Sequence, residues 1–428
     1  MNDGLELSTL LSNYEMVQLE TNQESLIGVN ARVCITDKHI VGINPDKILI
    51  FDRNGTFINL FFILLFLLSG CNGRDVQAVL IEYEKLQSGE FFDQSNFSKA
   101  TSVTLDSKTG ILGENLFLKF DSDNTYLLDR QQSKILVYNS SNGSLLSSIC
   151  NEGRGPGEYL YIKDFYIDPN KEILLLCDAK PKVLKYTQAG QFISESFLSF
   201  NALSFSKQKD KYWFFKERIS HPIFYNNTIV KTDTLLKPVG SYLGMQESMV
   251  AAFAEMNFST SQNGEILFKH VFDNTIYKIV RGIDSLLPAY VIDWGSYEYP
   301  DSFIKAKSFS DAFTILNSTT TASVVSAFEN SDFLLLYIAE EGVKNNFGYF
   351  LYNRSTEEIL FQKFEADDLI IRKLGAPKAL TDDNAIVFIV NGQMVKELES
   401  SIPILAQMDL NQLDNNADNY VLLKLYIN

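Results

Sequence analysis

Three stretches of this chain repeat one pattern, and that repetition limits the possible folds more than any other feature. KILIFDRNGTFI (Lys47 to Ile58), KILVYNSSNGSLL (Lys134 to Leu146) and KVLKYTQAGQFI (Lys182 to Ile193) share a Lys, a β-branched residue, a Leu, an aromatic, a polar turn with Gly and an apolar pair. Strand residues on either side of such a turn form a β-hairpin, because Gly takes the positive φ that the turn requires. Upstream of the three lie VCITDKHIVGI, LKFDSDNTYLLD and FYIDPNKEILLLCD, so the unit reads strand, turn, strand, turn, strand, turn, strand. Lys134 and Lys182 are 48 residues apart. That lies within the ~40–50-residue period of propeller blades, each a four-stranded antiparallel sheet packed on its neighbours around a channel. The expected fold class is all-β.

The copy at Lys47 lies 87 residues before Lys134, and its context is duplicated too: Leu19 followed by SLIG (Ser25 to Gly28) matches Leu105 followed by GILG (Gly110 to Gly113). Residues 1–58 thus read as a second edition of the first blade, an extra N-terminal blade-like segment. Beyond Ile193 the repeats degenerate, yet strand-like runs continue through KYWFFKE, EILFKHVFDNTIYKIV, AYVIDWG, FLLLYIA, YFLYN, AIVFIV and VLLKLY. Short helices are expected around Asp301 to Asn317 and Ile402 to Leu413, as insertions between strands.

Composition narrows the functions. With 53 Asp+Glu against 37 Lys+Arg, a net charge of −16 and no basic stripe, the chain is not a nucleic-acid binder, since phosphate recognition draws its affinity from Lys and Arg. The 46% hydrophobic share allows a packed core. Cys34, Cys71, Cys150 and Cys177 form no C-x-x-C pair, and Cys34 and Cys177 sit in apolar runs where Cys behaves as a small hydrophobe. His39, His221 and His270 show no metal-ligand spacing, and no metal site is expected from local sequence.

LFFILLFLLSGC (Leu60 to Cys71) opens with nine apolar residues, Leu60 to Leu68. A membrane-spanning helix needs ~20, whereas the core of a signal peptide needs ~7–15. Leu68, Ser69, Gly70 and Cys71 resemble the lipobox of bacterial lipoproteins. The resemblance implies cleavage before Cys71, acylation of its thiol and a lipid membrane as partner. The other reading is a buried strand followed by a turn. The position is unusual, because about 59 residues precede the run and signal peptides begin within the first ~30.

With GRGPGEY (Gly153 to Tyr159) after one repeat, DFYID (Asp164 to Asp168) opening the next, then FDNTIYKI (Phe272 to Ile279), YVIDWG (Tyr290 to Gly295) and DNYVLLKLY (Asp418 to Tyr426), the chain resembles the six-bladed β-propeller lipoproteins of Bacteroides-type bacteria. The likeness implies six four-stranded blades over residues 96–428 and a place in the cell envelope, facing the periplasm or the exterior. It leaves 1–58 as the duplicated segment, 59–71 as the signal-like segment and 72–95 as a linker. The resemblance implies no specific activity.

Candidate site residues are few. Gly153, Arg154, Gly155, Pro156, Gly157, Glu158 and Tyr159 read as an inter-blade turn, since Gly-Pro fixes an extended segment and the glycines permit turns that other residues resist. The functional alternative is a nest of backbone amides for a phosphate or carboxylate, with Arg154 as clamp. Tyr212, Trp213 and Trp294 offer stacking faces for sugar rings, although at strand positions such residues more often pack between blades. DSDN (Asp121 to Asn124) and DNNAD (Asp414 to Asp418) begin like calcium loops but lack the later Gly and Glu, so turns are expected. The first functional expectation is an envelope-anchored scaffold or binding module for a glycan, peptide or protein, without a cofactor. The alternative is a hydrolase or lyase acting on glycans or lactones, with a bound calcium.

Overall fold

The computed structural model describes residues 32–35, 39–43, 47–52, 54, 56–62, 78–107, 110–113, 115–216, 227–244, 257–261, 264–270, 272–280, 285–306, 308–343, 345–413 and 419–428. The chain divides into two compact units, residues 1–75 and 76–428. In the first, β1 (Arg32–Ile35), β2 (His39–Ile43), β3 (Lys47–Asp52) and β4 (Phe57–Phe62) form one antiparallel sheet in chain order. Asp52 Oδ1 closes its last turn by accepting from the amides of Asn54 (2.8 Å) and Thr56 (2.9 Å). Strand β4 takes up Leu60, Phe61 and Phe62, which pair with Leu49, Ile48 and Lys47. The start of the expected signal-like segment is therefore strand here. Leu68, Ser69, Gly70 and Cys71 lie outside the described residues.

The second unit opens with β5 (Val79–Glu82) and β6 (Phe97–Thr104) and then builds six sheets. Blade one is β7 (Leu116–Phe120), β8 (Asn124–Asp129), β9 (Lys134–Asn139) and β10 (Leu145–Ile149). Blade two is β11 (Ile162–Ile167), β12 (Ile173–Cys177), β13 (Lys182–Tyr186) and β14 (Phe192–Phe197). Blade three is β15 (Ala202–Gln208), β16 (Lys211–Lys216), β17 (Asn227–Thr232) and β18 (Pro238–Gly244). Blade four is β19 (Phe258–Thr260), β20 (Ile266–Phe268), β21 (Thr275–Ile279) and β22 (Leu286–Asp293), with β5 added in parallel to β22. Blade five is β23 (Thr320–Glu329), β24 (Phe333–Gly342), β25 (Asn346–Asn353) and β26 (Ile359–Glu365). Blade six takes β27 (Ala379–Leu380), β28 (Ala385–Asn391) and β29 (Tyr420–Ile427) from the C-terminal end and borrows β6 as its outer strand. This is a six-bladed β-propeller of four-stranded antiparallel sheets. The β29–β6 pairing, Val421↔Thr104 through Ile427↔Phe97, joins the two ends of the ring.

The core is divided among the six seams. Alternating strand residues send side chains to both faces of each sheet. Tyr126, Leu128 and Ile135 meet Phe165, Ile173 and Leu175 between blades one and two, for example, while Leu127 and Leu136 from the same strands meet Val387 and Leu422 of blade six. Each fully buried Leu, Ile or Phe contributes about 1.5–3 kcal/mol of transfer free energy. Polar links also cross the seams: Lys163 Nζ donates to the Ala202 carbonyl at 3.1 Å and Lys269 Nζ, just past β20, to the Val324 carbonyl at 3.0 Å. Ionised donors make such bonds stronger than neutral ones.

Residues 72–95 were expected to be a linker, but from Val79 onward they form a packed strap. After β5, Tyr83 enters the seam between blades four and five, the Gly89 amide donates to the Phe361 carbonyl (2.7 Å), and Phe91 and Phe92 are buried against Tyr349. The strap covers the outer edges of blades four and five, which otherwise present unpaired backbone groups. Helices also differ from expectation. Asp301 to Asn317 holds two, α1 (Asp301–Ile304) and α2 (Phe309–Ser318); α3 (Leu369–Leu374) and α4 (Gly392–Leu398) appear where none was expected; Ile402 to Leu413 forms 3-10 turns instead.

Candidate functional site

The two rims of the ring are built differently. Among the described residues, turns that join first to second and third to fourth strands emerge on one rim, and several are short and closed by their own side chains. Asp121 Oδ1 accepts from the amides of Asp123 and Asn124 (2.8 Å each), and Asp121 Oδ2 accepts from the Tyr126 hydroxyl at 2.7 Å, so DSDN is a closed turn. Asn353 does the same for Ser355 and Thr356. The other rim receives the Gly153 to Tyr159 loop, α1, α2, α3 and the α4 insertion. Long, elaborated connections of this kind are the usual carriers of binding residues.

The expected inter-blade turn joins β10 to β11 on this insertion rim. Tyr159 is fully buried and its hydroxyl donates to the Ile149 carbonyl at 3.2 Å. The Tyr186 hydroxyl and Lys182 Nζ donate to the carbonyls of Gly157 and Glu158, each at 2.5 Å, tying the loop to blade two. At Gly153, with φ +157°, a Cβ would lie 2.0 Å from the Glu158 carboxylate. The Gly155 amide, which a nest would aim at an anion, already donates to Glu158 Oε2 at 2.7 Å. An anion would have to displace that carboxylate, while Pro156 and Arg154 are exposed.

Tyr212, Trp213 and Trp294 are not brought together as a sugar platform. Tyr212 and Trp213 are neighbours on β16 and so point to opposite faces. Tyr212 is buried against Phe205 and Phe214 toward blade two, Trp213 against Tyr242 and beneath Lys231 toward blade four, and Trp294 against Tyr83 toward blade five. Each ring fills a different seam.

Trp294 packs on Tyr83, which lines a recess that sequence spacing did not reveal. On the insertion rim, where blades four and five meet, Tyr83, Glu84, Leu86, Ser296, Tyr297, Phe361 and Lys363 line a cleft of about 250 Å³. Its rear wall is a hydrogen-bonded cluster around Glu340 of β24. Glu340 Oε1 accepts from the Tyr83 hydroxyl (2.9 Å) and Lys363 Nζ (2.6 Å), and Oε2 from Asn346 Nδ2 (2.6 Å). Burial alone raises the Glu340 carboxyl, but these bonds and the Lys363 charge outweigh it and hold it below the usual glutamate range. Burial, reinforced by Glu340, pushes the Tyr83 hydroxyl up. Lys363 Nζ lies 5.6 Å from the Tyr83 ring centre and 5.4 Å from that of Tyr297.

The lip of the cleft is preset as well. Glu84 Oε1 accepts from the Ser296 amide at 2.9 Å and from its hydroxyl, which lowers the Glu84 pKa. Gly295 has φ +58°, and a Cβ there would lie 2.3 Å from Glu84, so the close approach needs Gly. At neutral pH the carboxylate is ionised, the tyrosine protonated and the ammonium paired. The wall presents a cation, ring faces and hydrogen-bonding groups in fixed positions, which suits binding better than proton transfer. Among the described residues, no group of three or more His, Cys, Asp or Glu side chains is placed to hold a metal ion.

Comparison with known proteins places the fold. No curated protein matches the chain. Among solved structures, a presumed exported protein of Bacteroides fragilis NCTC 9343 is similar at 20% identity, covering 82% of this chain and 99% of its own, with a TM-score of 0.64. A protein of unknown function from Bacteroides caccae is 10% identical over 77% of this chain and 94% of its own, with a TM-score of 0.35. The family described as a domain of unknown function, DUF4934, matches residues 96–425. That span takes in all six blades from the closing strand β6 onward, and the chain belongs to the DUF4934 family.

Proposed function

We propose that this protein is an envelope lipoprotein, held to a membrane through an acylated Cys71, that binds a glycan, peptide or protein on its insertion rim. The observation that carries the binding half is the cleft between blades four and five, where Lys363, Tyr297 and Ser296 border open space while Glu340 fixes the wall behind them. A preformed recess with few, fixed polar groups loses little ordering entropy when a ligand arrives. The anchor half is supported by the Leu68-Ser69-Gly70-Cys71 motif after its apolar run. Two acyl chains hold a protein on a bilayer where one does so only marginally. Cleavage before Cys71 removes residues 1–70 and leaves the whole propeller unit.

Expression of the full chain in a lipoprotein-competent bacterium with labelled palmitate is expected to label it, and Cys71→Ser to abolish the label. For the ligand, a panel of soluble glycans and peptides is screened against the chain and its Tyr297→Ala variant. Loss of about 1–3 kcal/mol of binding is expected on removing a ring from the contact. A ligand bound equally by both proteins contradicts the cleft reading.

A further inference from the structure

The groups left open in the cleft between blades four and five select one class among the possible ligands. Glu84 Oε1 takes both bonds from Ser296, and among the described residues no group donates to Glu84 Oε2. One of the three N–H groups of Lys363 Nζ goes to Glu340 Oε1, which leaves two. Tyr297 is half-buried, lines the same recess and meets the Tyr83 ring edge-on at 5.5 Å between centres. The recess therefore offers an acceptor, a donor and an aromatic ring.

Charged ligands and added strands suit this set poorly. A carboxylate approaching Lys363 would also meet Glu340 behind it and Glu84 at the lip, two negative charges against one positive. An ammonium drawn to Glu84 would share the recess with Lys363, and an ion pair to so exposed a carboxylate contributes little. A peptide adding to blade five as a strand finds the edge of β26 closed here, because the Phe361 carbonyl accepts from the Gly89 amide (2.7 Å) and the Lys363 amide donates to Ser88 Oγ (3.2 Å).

An uncharged sugar ring meets none of these obstacles. Its hydroxyls donate to Glu84 Oε2 and accept from Lys363 Nζ, while its C–H face packs on Tyr297. Size agrees: a cavity of about 150 Å³ holds a benzene ring, so one of about 250 Å³ admits a single sugar ring with its hydroxyls. We propose that the cleft binds one uncharged pyranose residue of a glycan, with Glu84 and Lys363 reading its hydroxyls and Tyr297 its apolar face. This rests on the reading of the cleft as the binding site and narrows its ligand to a neutral sugar.

The test applies the full chain, detected through an appended epitope tag, to an array of neutral mono- to tetrasaccharides of hexoses, pentoses, deoxyhexoses and N-acetylhexosamines. Uronic-acid glycans, sulfated glycans and peptides are arrayed beside them, and hits are titrated by calorimetry. Neutral sugars are expected among the hits, and Glu84→Gln, which keeps an acceptor for Ser296 but loses the second, is expected to weaken them at least about tenfold, as is Lys363→Met. Near-ultraviolet circular dichroism of each variant checks that the fold is retained. Hits confined to acidic glycans or peptides, and lost in Tyr297→Ala, overturn the neutral-sugar assignment and leave the cleft standing. An array without a neutral hit overturns the assignment whatever else binds. A neutral glycan bound equally by the wild type, Glu84→Gln and Tyr297→Ala overturns both the assignment and the cleft.

Discussion

Glu329 and Glu340 stand at opposite rims of the seam between blades four and five, and each meets a lysine and a tyrosine. Glu329, on the tight-turn rim, pairs with Lys278 of blade four and with Arg354 Nη1 at 3.1 Å, while Lys278 also reaches Glu265 at 3.2 Å and Tyr290 is pushed up by burial and by the Glu329 charge. Glu340, on the insertion rim, pairs with Lys363 and Tyr83. The chemistry is the same and the setting differs. The Lys278 side chain is 7% exposed, so its charge has no alternative to the pair, whereas that of Lys363 is 34% exposed and faces a cleft. Burial makes the first cluster a clamp between blades; partial exposure leaves the second a surface that can meet another molecule.

The sharpest way to break this contrast is to remove the clamp. Glu329→Ala leaves Lys278 with Glu265 alone and takes the carboxylate from Arg354, and is expected to cost about 2–3 kcal/mol of unfolding free energy, read by urea denaturation. A loss no larger than that of Glu340→Ala would erase the distinction between the rims. Acid unfolding separates further contributions. His270, half-buried between Phe215 and Phe272, is held down to about 4 by desolvation and by the neighbouring Lys269 charge. The unfolded chain takes up this proton as pH falls through 6.5 while the folded chain does not until about 4. Stability from this group is therefore intact above 6.5 and drains between those values, by roughly 2–3 kcal/mol. Glu340 works in a lower window: its depressed carboxyl contributes fully above 4.5 and loses that contribution as pH falls through its folded value. A pH series of urea midpoints for Glu340→Gln is expected to keep the upper limb and flatten the lower.

Smaller effects refine the picture. Tyr83→Phe removes one of three bonds to Glu340 and is expected to cost about 1 kcal/mol, with ring packing against Trp294 preserved. Arg154→Ala, on the exposed corner of a loop already closed by Glu158, is expected to change stability by less than about 0.5 kcal/mol and to leave binding unchanged. A marked loss of anion binding in that variant would revive the nest.

The blades were readable because each repeat encodes its own pairing. The Lys134 and Lys182 hairpins both carry a register shift near the turn between third and fourth strands, and the equivalent hairpin at Lys47 carries one too. Blade-to-blade contacts follow no such local rule. Tyr83 and Glu340 are far apart in sequence, and the strap around Tyr83 has neither the alternation of a repeat nor a turn motif, so it read as a linker. The aromatics on β16 looked like a platform because adjacency in sequence hides their opposite directions on the sheet. Helices α3 and α4, six and seven residues long, are too short for a helical period to stand out.

The central claim is that the insertion-rim cluster binds while the tight-turn cluster holds the ring together. Measuring affinity and melting temperature together for Lys363→Met and Lys278→Met, with whichever soluble glycan or peptide the wild-type chain binds, tests it directly. The account predicts that Lys363→Met loses at least about tenfold in affinity, or 1.4 kcal/mol, with its melting temperature lowered less than that of Lys278→Met, which melts much earlier but binds normally while folded. Unchanged affinity in Lys363→Met would contradict it.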